Sequence, residues 1–227
     1  MAEPGVFETM YSLRAMRRLK PDPVPADLVW KIIEAGTKAP SGGNSQPWRF
    51  IVVQDAELKR FVQERYKRAF DLYLQANLEA ASRRSEPPPM AELQKQMRAG
   101  QAANHLAEHL HEVPVLLFAC MVPRDLALLT DDEGRARSPA ALYASVFPAV
   151  QNILLACRAF GLGATLTTLH LVHEGEIKER LGIPPEVETV AMIPIGYPRG
   201  KFGPTSRAAV EEVTYWDGWG QLRARPI

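Results

Sequence analysis

Residues 113–122 (VPVLLFACMV) form an almost unbroken apolar run. Without polar alternation, such a run marks a strand buried on both faces, so the chain must cover two sides of one sheet. Residues 190–195 read as a second strand of this kind. Residues 140–160 read as a long helix, apolar nearly all round, with Ala144, Ala149, Ala156 and Ala159 as small positions. A helix without a polar face must be buried on every side. In a chain of 227 residues this suggests that a second subunit completes the burial. Pro148 is expected to kink the helix or to mark its true start.

Composition narrows the function classes. A hydrophobic fraction of 46% with 23% charged residues is ordinary for a soluble globular protein with a substantial core. The net charge of +1 gives no reason to expect nucleic acid or an anionic membrane as partner. Cys120 and Cys157 both lie in apolar runs and read as buried thiols. No transmembrane run or signal-peptide pattern is seen, and no Cys/His cluster has metal-ligand spacing, so a cytoplasmic setting is expected and no metal. No G-x-G-x-x-G follows a strand, and no G-x-S-x-G or Ser/His/Asp set argues for hydrolysis.

The elements follow in order. Residues 6–18 read as a helix from Phe7, Met10, Tyr11 and Arg14. After a proline-rich connector at 21–25, Pro25 opens a helix with Leu28, Ile32, Ile33 and Ala35 as its buried stripe. Residues 48–54 read as a strand. Asp55 is an expected N-cap for a helix over 56–76. Residues 80–90 (AASRRSEPPPM) read as a mobile loop, and 91–111 as a second helix. In that helix His105 and His109 stand at i, i+4; a solvated polar face is favoured over a metal site. Residues 123–139 are charged and loop-like. Residues 161–163 (Gly-Leu-Gly) end the long helix. A strand over 164–169 and a helix over 174–181, stopped by Gly182, follow. The tail carries Lys201, Arg207, Tyr215, Trp216 and Trp219, an aromatic set that must pack on something.

Two stretches carry candidate chemistry. Residues 39–48 hold Pro40, Ser41, Gly42, Gly43, Asn44, Ser45, Gln46 and Pro47 between a helix and a strand. The glycines permit close backbone approach and the prolines stiffen both ends. The loop offers donors and acceptors without charge, which suits a polar-edged ring system better than a bare phosphate. The second stretch carries Arg14, Arg17, Arg18 and Lys20. It reads either as a solvated basic face or as a phosphate clamp, since guanidinium groups fit phosphate oxygens as a planar fork.

Ala39-Pro40-Ser41 with Asn44 and Gln46-Pro47-Trp48 resembles the signature loop of the nitroreductase family of flavin enzymes. Three further pieces match in order: residues 14–18, the Gly161–Thr168 stretch and Gly196-Tyr197-Pro198. The resemblance implies an α+β fold, a central mixed or antiparallel sheet flanked by helices, and an intertwined homodimer. It implies one domain over 1–227, with a variable lid at about 63–112 and a tail, 198–227, packed on the partner subunit. FMN is the implied cofactor. Arg14, Met16 and Arg18 match its phosphate and ribityl positions, with Met16 replacing the usual Ser; Arg207 matches a basic position near the end, and Thr205 departs from the usual Lys beside it. Pro40, Ser41, Gly42, Asn44 and Gln46 match the flavin-edge loop. Leu166, Thr167 and Thr168 match a segment that faces the flavin ring; from composition alone these threonines would read as β propensity. Tyr66, Phe70 and Tyr73 read either as pocket lining or as core.

The implied activity is ping-pong: a hydride passes from NADH or NADPH through FMN to a nitroaromatic, a quinone or a similar small electron-poor acceptor. No side chain need act as acid or base, so no catalytic residue is named. The family also holds reductive dehalogenases, with Glu79, Arg83 and Arg84 near the lid in keeping with that chemistry, and flavin-consuming enzymes. A non-catalytic FMN-binding or storage protein and a dimer without flavin are the remaining alternatives.

Overall fold

The computed structural model describes residues 4–83, 85–86, 88–123 and 143–225. Arg84, residues 124–139 of the expected surface segment and the start of the helix expected at 140–160 lie outside them. In chain order the elements are α1 (Val6–Ser12), α2 (Ala26–Thr37), β1 (Trp48–Val53), α3 (Ala56–Ser82), α4 (Met90–His109), β2 (Val115–Met121), α5 (Phe147–Ala159), β3 (Gly163–Ala164), α6 (Glu174–Leu181) and β4 (Glu188–Gly196).

Strand β2 is buried along its whole length, as its apolar run requires. It pairs antiparallel with β1 on one side and with β4 on the other, and β3 adds to the far edge of β4, giving the order β1-β2-β4-β3. The period-2 geometry of a strand then assigns its side chains to two layers. Val115, Leu117, Ala119 and Met121 join Val29 and Ile32 of α2 and Val150 and Ile153 of α5 in one core. Leu116, Phe118 and Cys120 join Val62, Tyr66 and Phe70 of α3, Leu106 of α4 and Ile177 of α6 in the other. Each large side chain withdrawn from water contributes about 1.5–3 kcal/mol, so β2 anchors both helical layers at once. Tyr66 and Phe70 are thus core residues, whereas Tyr73 is exposed. Both cysteines are buried free thiols, and burial pushes Cys120 up to about 11.

Local signals place several boundaries as expected. The Asp55 side chain accepts from the Leu58 backbone N–H at 2.9 Å and caps α3, and Gly182, left-handed at φ 66°, stops α6. Pro148 sits in the first turn of α5, where its missing N–H costs nothing, so it marks the true start of that helix.

Four boundaries differ from expectation. The first helix stops at Ser12, not Arg18, because Leu13 turns extended and the following residues pair with a sheet edge. Helix α3 continues to Ser82, into the stretch read as loop; its second half is largely exposed and rests on helix propensity, the proline-rich break coming later. The second of these helices yields at His109 to a 3-10 turn over Leu110–Glu112. The strand expected over 164–169 reduces to Gly163–Ala164 and a single bridge, Thr167 to Met192, before a 3-10 turn over Leu169–His173.

Candidate functional site

Residues 14–18 form a short extended segment rather than a helix end. The Met16 N–H donates to the Ala164 carbonyl at 3.0 Å, the Lys20 N–H to the Tyr197 carbonyl at 2.8 Å, and the Arg199 N–H to the Arg18 carbonyl at 2.9 Å. The segment is therefore held between β3 and the Gly196-Tyr197-Pro198 turn. Its seat is Gly163, where an added Cβ would stand 2.8 Å from a Leu19 methyl, 2.9 Å from Met16 Cβ and 3.1 Å from Pro198 Cβ. Only glycine admits that approach.

Buried Met16 pins the segment to the second core, while Arg14 and Arg18 stay exposed. They line a cleft of about 490 Å³ with Arg17, Arg98 and Gln101 of α4, and Arg199. Arg98 and Arg199 were not foreseen from the sequence; Arg199 directly follows the Gly-Tyr-Pro turn, whereas nothing local to Arg98 points to the cleft. None of the five arginines pairs with a carboxylate among the described residues. The Arg199 guanidinium Nε donates to the Leu19 carbonyl at 3.2 Å, which fixes its stem. The positive field reaches His105 on α4. Burial, then His109, Arg18 and Arg199, hold its imidazole below the ordinary value. Five gathered cations without a carboxylate partner among the described residues leave the cleft strongly positive, and forked guanidiniums suit the oxygens of a phosphate or a carboxylate.

Arg207 is exposed and its Nη1 donates to the adjacent Ser206 carbonyl at 2.8 Å, so it stands apart from this cleft. The tail nevertheless passes close: a Cβ on Gly203 would lie 4.0 Å from Arg14 Nη1, and the Thr205 N–H donates to the Tyr11 carbonyl at 3.0 Å.

The loop before β1 is a built turn. Gly42–Asn44 form a 3-10 turn, and Gly43, Asn44 and Gln46 all take positive φ, at 57°, 52° and 47°. Left-handed backbone costs a non-glycine residue roughly 1–2 kcal/mol, so other contacts must hold it. The Gln46 N–H donates to Ser41 Oγ at 3.1 Å, Gln46 Nε2 to Asn44 Oδ1 at 3.1 Å, and the Gly42 N–H to Ser145 Oγ at 3.1 Å. Pro40, Gly42, Asn44 and Gln46 are exposed and Ser41 half-buried, leaving a strained polar edge presented outward.

Within the chain this loop and the arginine segment are not brought together. Trp48 ends the loop on the β1 edge, level with Met121 and Glu188, whereas Ala164 lies on the β3 edge, level with Ile195 and Val115. These are diagonal corners of the sheet. Three inter-strand gaps and a strand length separate such corners by roughly 25 Å.

The third group divides. Leu166 packs against the first core. Thr167 gives its N–H and carbonyl to Met192, both at 2.9 Å, and its hydroxyl lies 3.0 Å from the buried Tyr66 hydroxyl. Thr168 is exposed and lines a separate cleft of about 310 Å³ with Tyr143, Phe147 and Glu188. Its side-chain hydroxyl has no partner among the described residues. On α4 the His105 and His109 rings pack 4.4 Å apart, and His109 Nδ1 lies 2.8 Å from Glu112 Oε1. Among the described residues no cluster of three or more metal-ligating side chains occurs, and no helix is long and apolar enough to cross a membrane.

Comparison with known proteins bears on this arrangement. The chain is 30% identical over 205 residues to an NADH dehydrogenase of Thermus thermophilus, covering 89% of this chain and 91% of that protein. It is 29% identical over 195 residues to an iodotyrosine deiodinase of Drosophila melanogaster, covering 86% of this chain but only 62% of that one. Its fold is similar to a nitroreductase with bound FMN from Desulfitobacterium hafniense, with a TM-score of 0.64 at 17% identity, over 93% of this chain and 98% of the other. The nitroreductase family pattern matches residues 12–197, which span the arginine segment, the polar loop, the sheet and the first two residues of the Gly-Tyr-Pro turn. With its antiparallel sheet between two helical layers, the chain belongs to the nitroreductase family and has the nitroreductase fold.

Proposed function

We propose that this protein is an FMN-dependent oxidoreductase that takes a hydride from NADH or NADPH and passes the reducing equivalents to a nitroaromatic, a quinone or a similar acceptor. The observation that carries the reading is the arginine cleft on the β3 edge. Its forked cations fit the phosphate of FMN, and no acidic side chain lines it to oppose them.

In this reading Arg14 and Arg18 hold the phosphate; Arg207 stands apart from the cleft and adds its charge only if the tail moves inward. Met16 lends packing and its carbonyl, since its N–H is already given to Ala164. Thr168 offers a hydroxyl toward the ring edge, and Leu166 and Thr167 fix the backbone beneath it. FMN held there would supply the redox chemistry between reduced nicotinamide and an acceptor. Pro40, Ser41, Gly42, Asn44 and Gln46 lie on the opposite corner, so their polar edge meets the flavin only from a second copy of the chain. A two-fold homodimer satisfies this. It also gives cover to Phe7, Tyr11, Trp30 and Trp219, each more than half exposed on the single chain. The tail, 198–227, embraces the partner, and the region at about 63–112 shapes the acceptor pocket.

A dehalogenase-like reading draws on the Drosophila match and on Glu79, near the exposed end of α3 and bonded to Gln75 at 3.2 Å. The visible spectrum of the purified protein, before and after anaerobic NADPH, separates the readings. A flavin band that bleaches and returns with a quinone is expected. A band that nicotinamide does not bleach, but that an iodinated tyrosine oxidises after dithionite reduction, would select dehalogenation. A band that neither changes would select storage, and no band after added FMN would overturn the reading. Arg18→Ala is expected to weaken FMN binding by about 1.5–3 kcal/mol and to reduce its salt dependence.

A further inference from the structure

The arginine cleft holds more cation than one phosphate monoester needs. A monoester carries close to two negative charges near neutral pH, which the forks of Arg14 and Arg18 satisfy. Arg17, Arg98 and Arg199 remain on the same 490 Å³ space. They come from separate elements: Arg17 from the edge segment, Arg98 from α4, and Arg199 from the turn after β4. Arg199 is held in place by its own bonds to Leu19 and Arg18. Arg98 is tethered through Nε to the Gln94 carbonyl at 3.3 Å, which leaves its two terminal nitrogens to the cleft. Like charges gathered in this way repel, and an arrangement of this kind is sustained by a second anion.

We infer that Arg98 and Arg199 bind the 2′-phosphate of the nicotinamide donor, so that the enzyme selects NADPH over NADH. The inference rests on the reading of Arg14 and Arg18 as the FMN phosphate site. An arginine fork is how proteins accommodate a ribose 2′-phosphate, which NADH lacks. Gln101, one turn beyond Arg98 on the same face of α4, adds an amide toward the same ribose.

Calorimetry on the flavin-loaded protein tests this without turnover, using adenosine 2′,5′-bisphosphate and 5′-AMP as probes. The bisphosphate is expected to bind at least tenfold more tightly than AMP. Arg98→Ala is expected to remove that difference while changing the FMN dissociation constant less than twofold. In kinetics, the ratio of kcat/KM for NADPH to that for NADH should fall at least tenfold in the variant, through KM for NADPH. Arg98 lies on an exposed helix face, so the substitution leaves the cores intact; Arg98→Lys should restore part of the preference. Equal binding of the two probes by the unaltered protein would overturn the inference, as would an Arg98→Ala variant that loses FMN instead. A protein that takes up no FMN would overturn both readings, whereas a flavin-loaded protein that binds the two probes equally would overturn the NADPH inference alone.

Discussion

The hydroxyl of Tyr66, on α3, stands 3.0 Å from the hydroxyl of Thr167, in the segment between β3 and the following turn. Tyr66 is almost fully buried, and burial first, against that hydrogen bond and Arg17, raises its phenol above the ordinary value. This contact ties α3 to the segment that leads on from β3, the strand beside the arginine segment. Tyr66→Phe should leave the Thr167 hydroxyl unpartnered and cost about 1 kcal/mol. Urea denaturation would measure it, and a double-mutant cycle with Thr167→Val should show the two losses to be less than additive. Additive losses would mean that the hydroxyls do not interact.

Gly163 governs the placement of the arginine cleft. Gly163→Ala would drive a methyl group into Leu19, Met16 and Pro198, and overpacking of this order costs about 1–3 kcal/mol. The edge segment should shift outward, so FMN retention should fall more than global stability does. Thermal unfolding and flavin fluorescence, compared on one sample, check this. An alanine variant with unchanged flavin affinity would show that the segment is not seated on that glycine.

His170 is fully buried against the edge of Phe118, and neither ring nitrogen has a hydrogen-bond partner among the described residues. Burial drives its pKa down to about 4, a shift that the Thr189 backbone and Glu174 only partly oppose. The folded protein therefore binds fewer protons here than the unfolded chain between pH 6.5 and about 4. Stability from this group is complete above pH 6.5 and is lost as pH falls toward 4, about 3 kcal/mol in all. Denaturation midpoints at pH 7.5 and pH 5 should differ in the native protein. His170→Leu should shrink that difference; an equal difference in the variant would place the acid sensitivity elsewhere.

Phe147 opens α5 and is 42% exposed, although the helix behind it is core. If a second copy covers it, Phe147→Glu should yield a monomer that folds but does not hold flavin, because the polar loop of the partner is then missing. Sedimentation and absorbance at the flavin band test both halves together. A yellow monomer would show that one chain completes the site.

Much of this protein was legible in its sequence because the relevant physics is local. The apolar run of β2 required two covered faces, and the alternation of Leu116 and Leu117 between opposite cores follows from strand geometry alone. Asp55 and Gly182 set their helix ends through contacts within a few residues. The motif positions Arg14, Arg18 and Ser41 were likewise visible as residue types. Tertiary structure decided which of them meet. Residues 13–18 have ordinary helix formers, yet they leave the helix because the Ala164 and Tyr197 carbonyls, distant in sequence, offer a sheet edge to pair with. The same edge gathers Arg98 and Arg199 beside Arg14 and Arg18, a meeting of three elements that no local pattern encodes. It also sets the polar loop on the opposite corner of the sheet. Side-chain pattern fixes which face of an element is buried, but strand order and register fix which elements meet, and both depend on contacts between parts of the chain far apart in sequence.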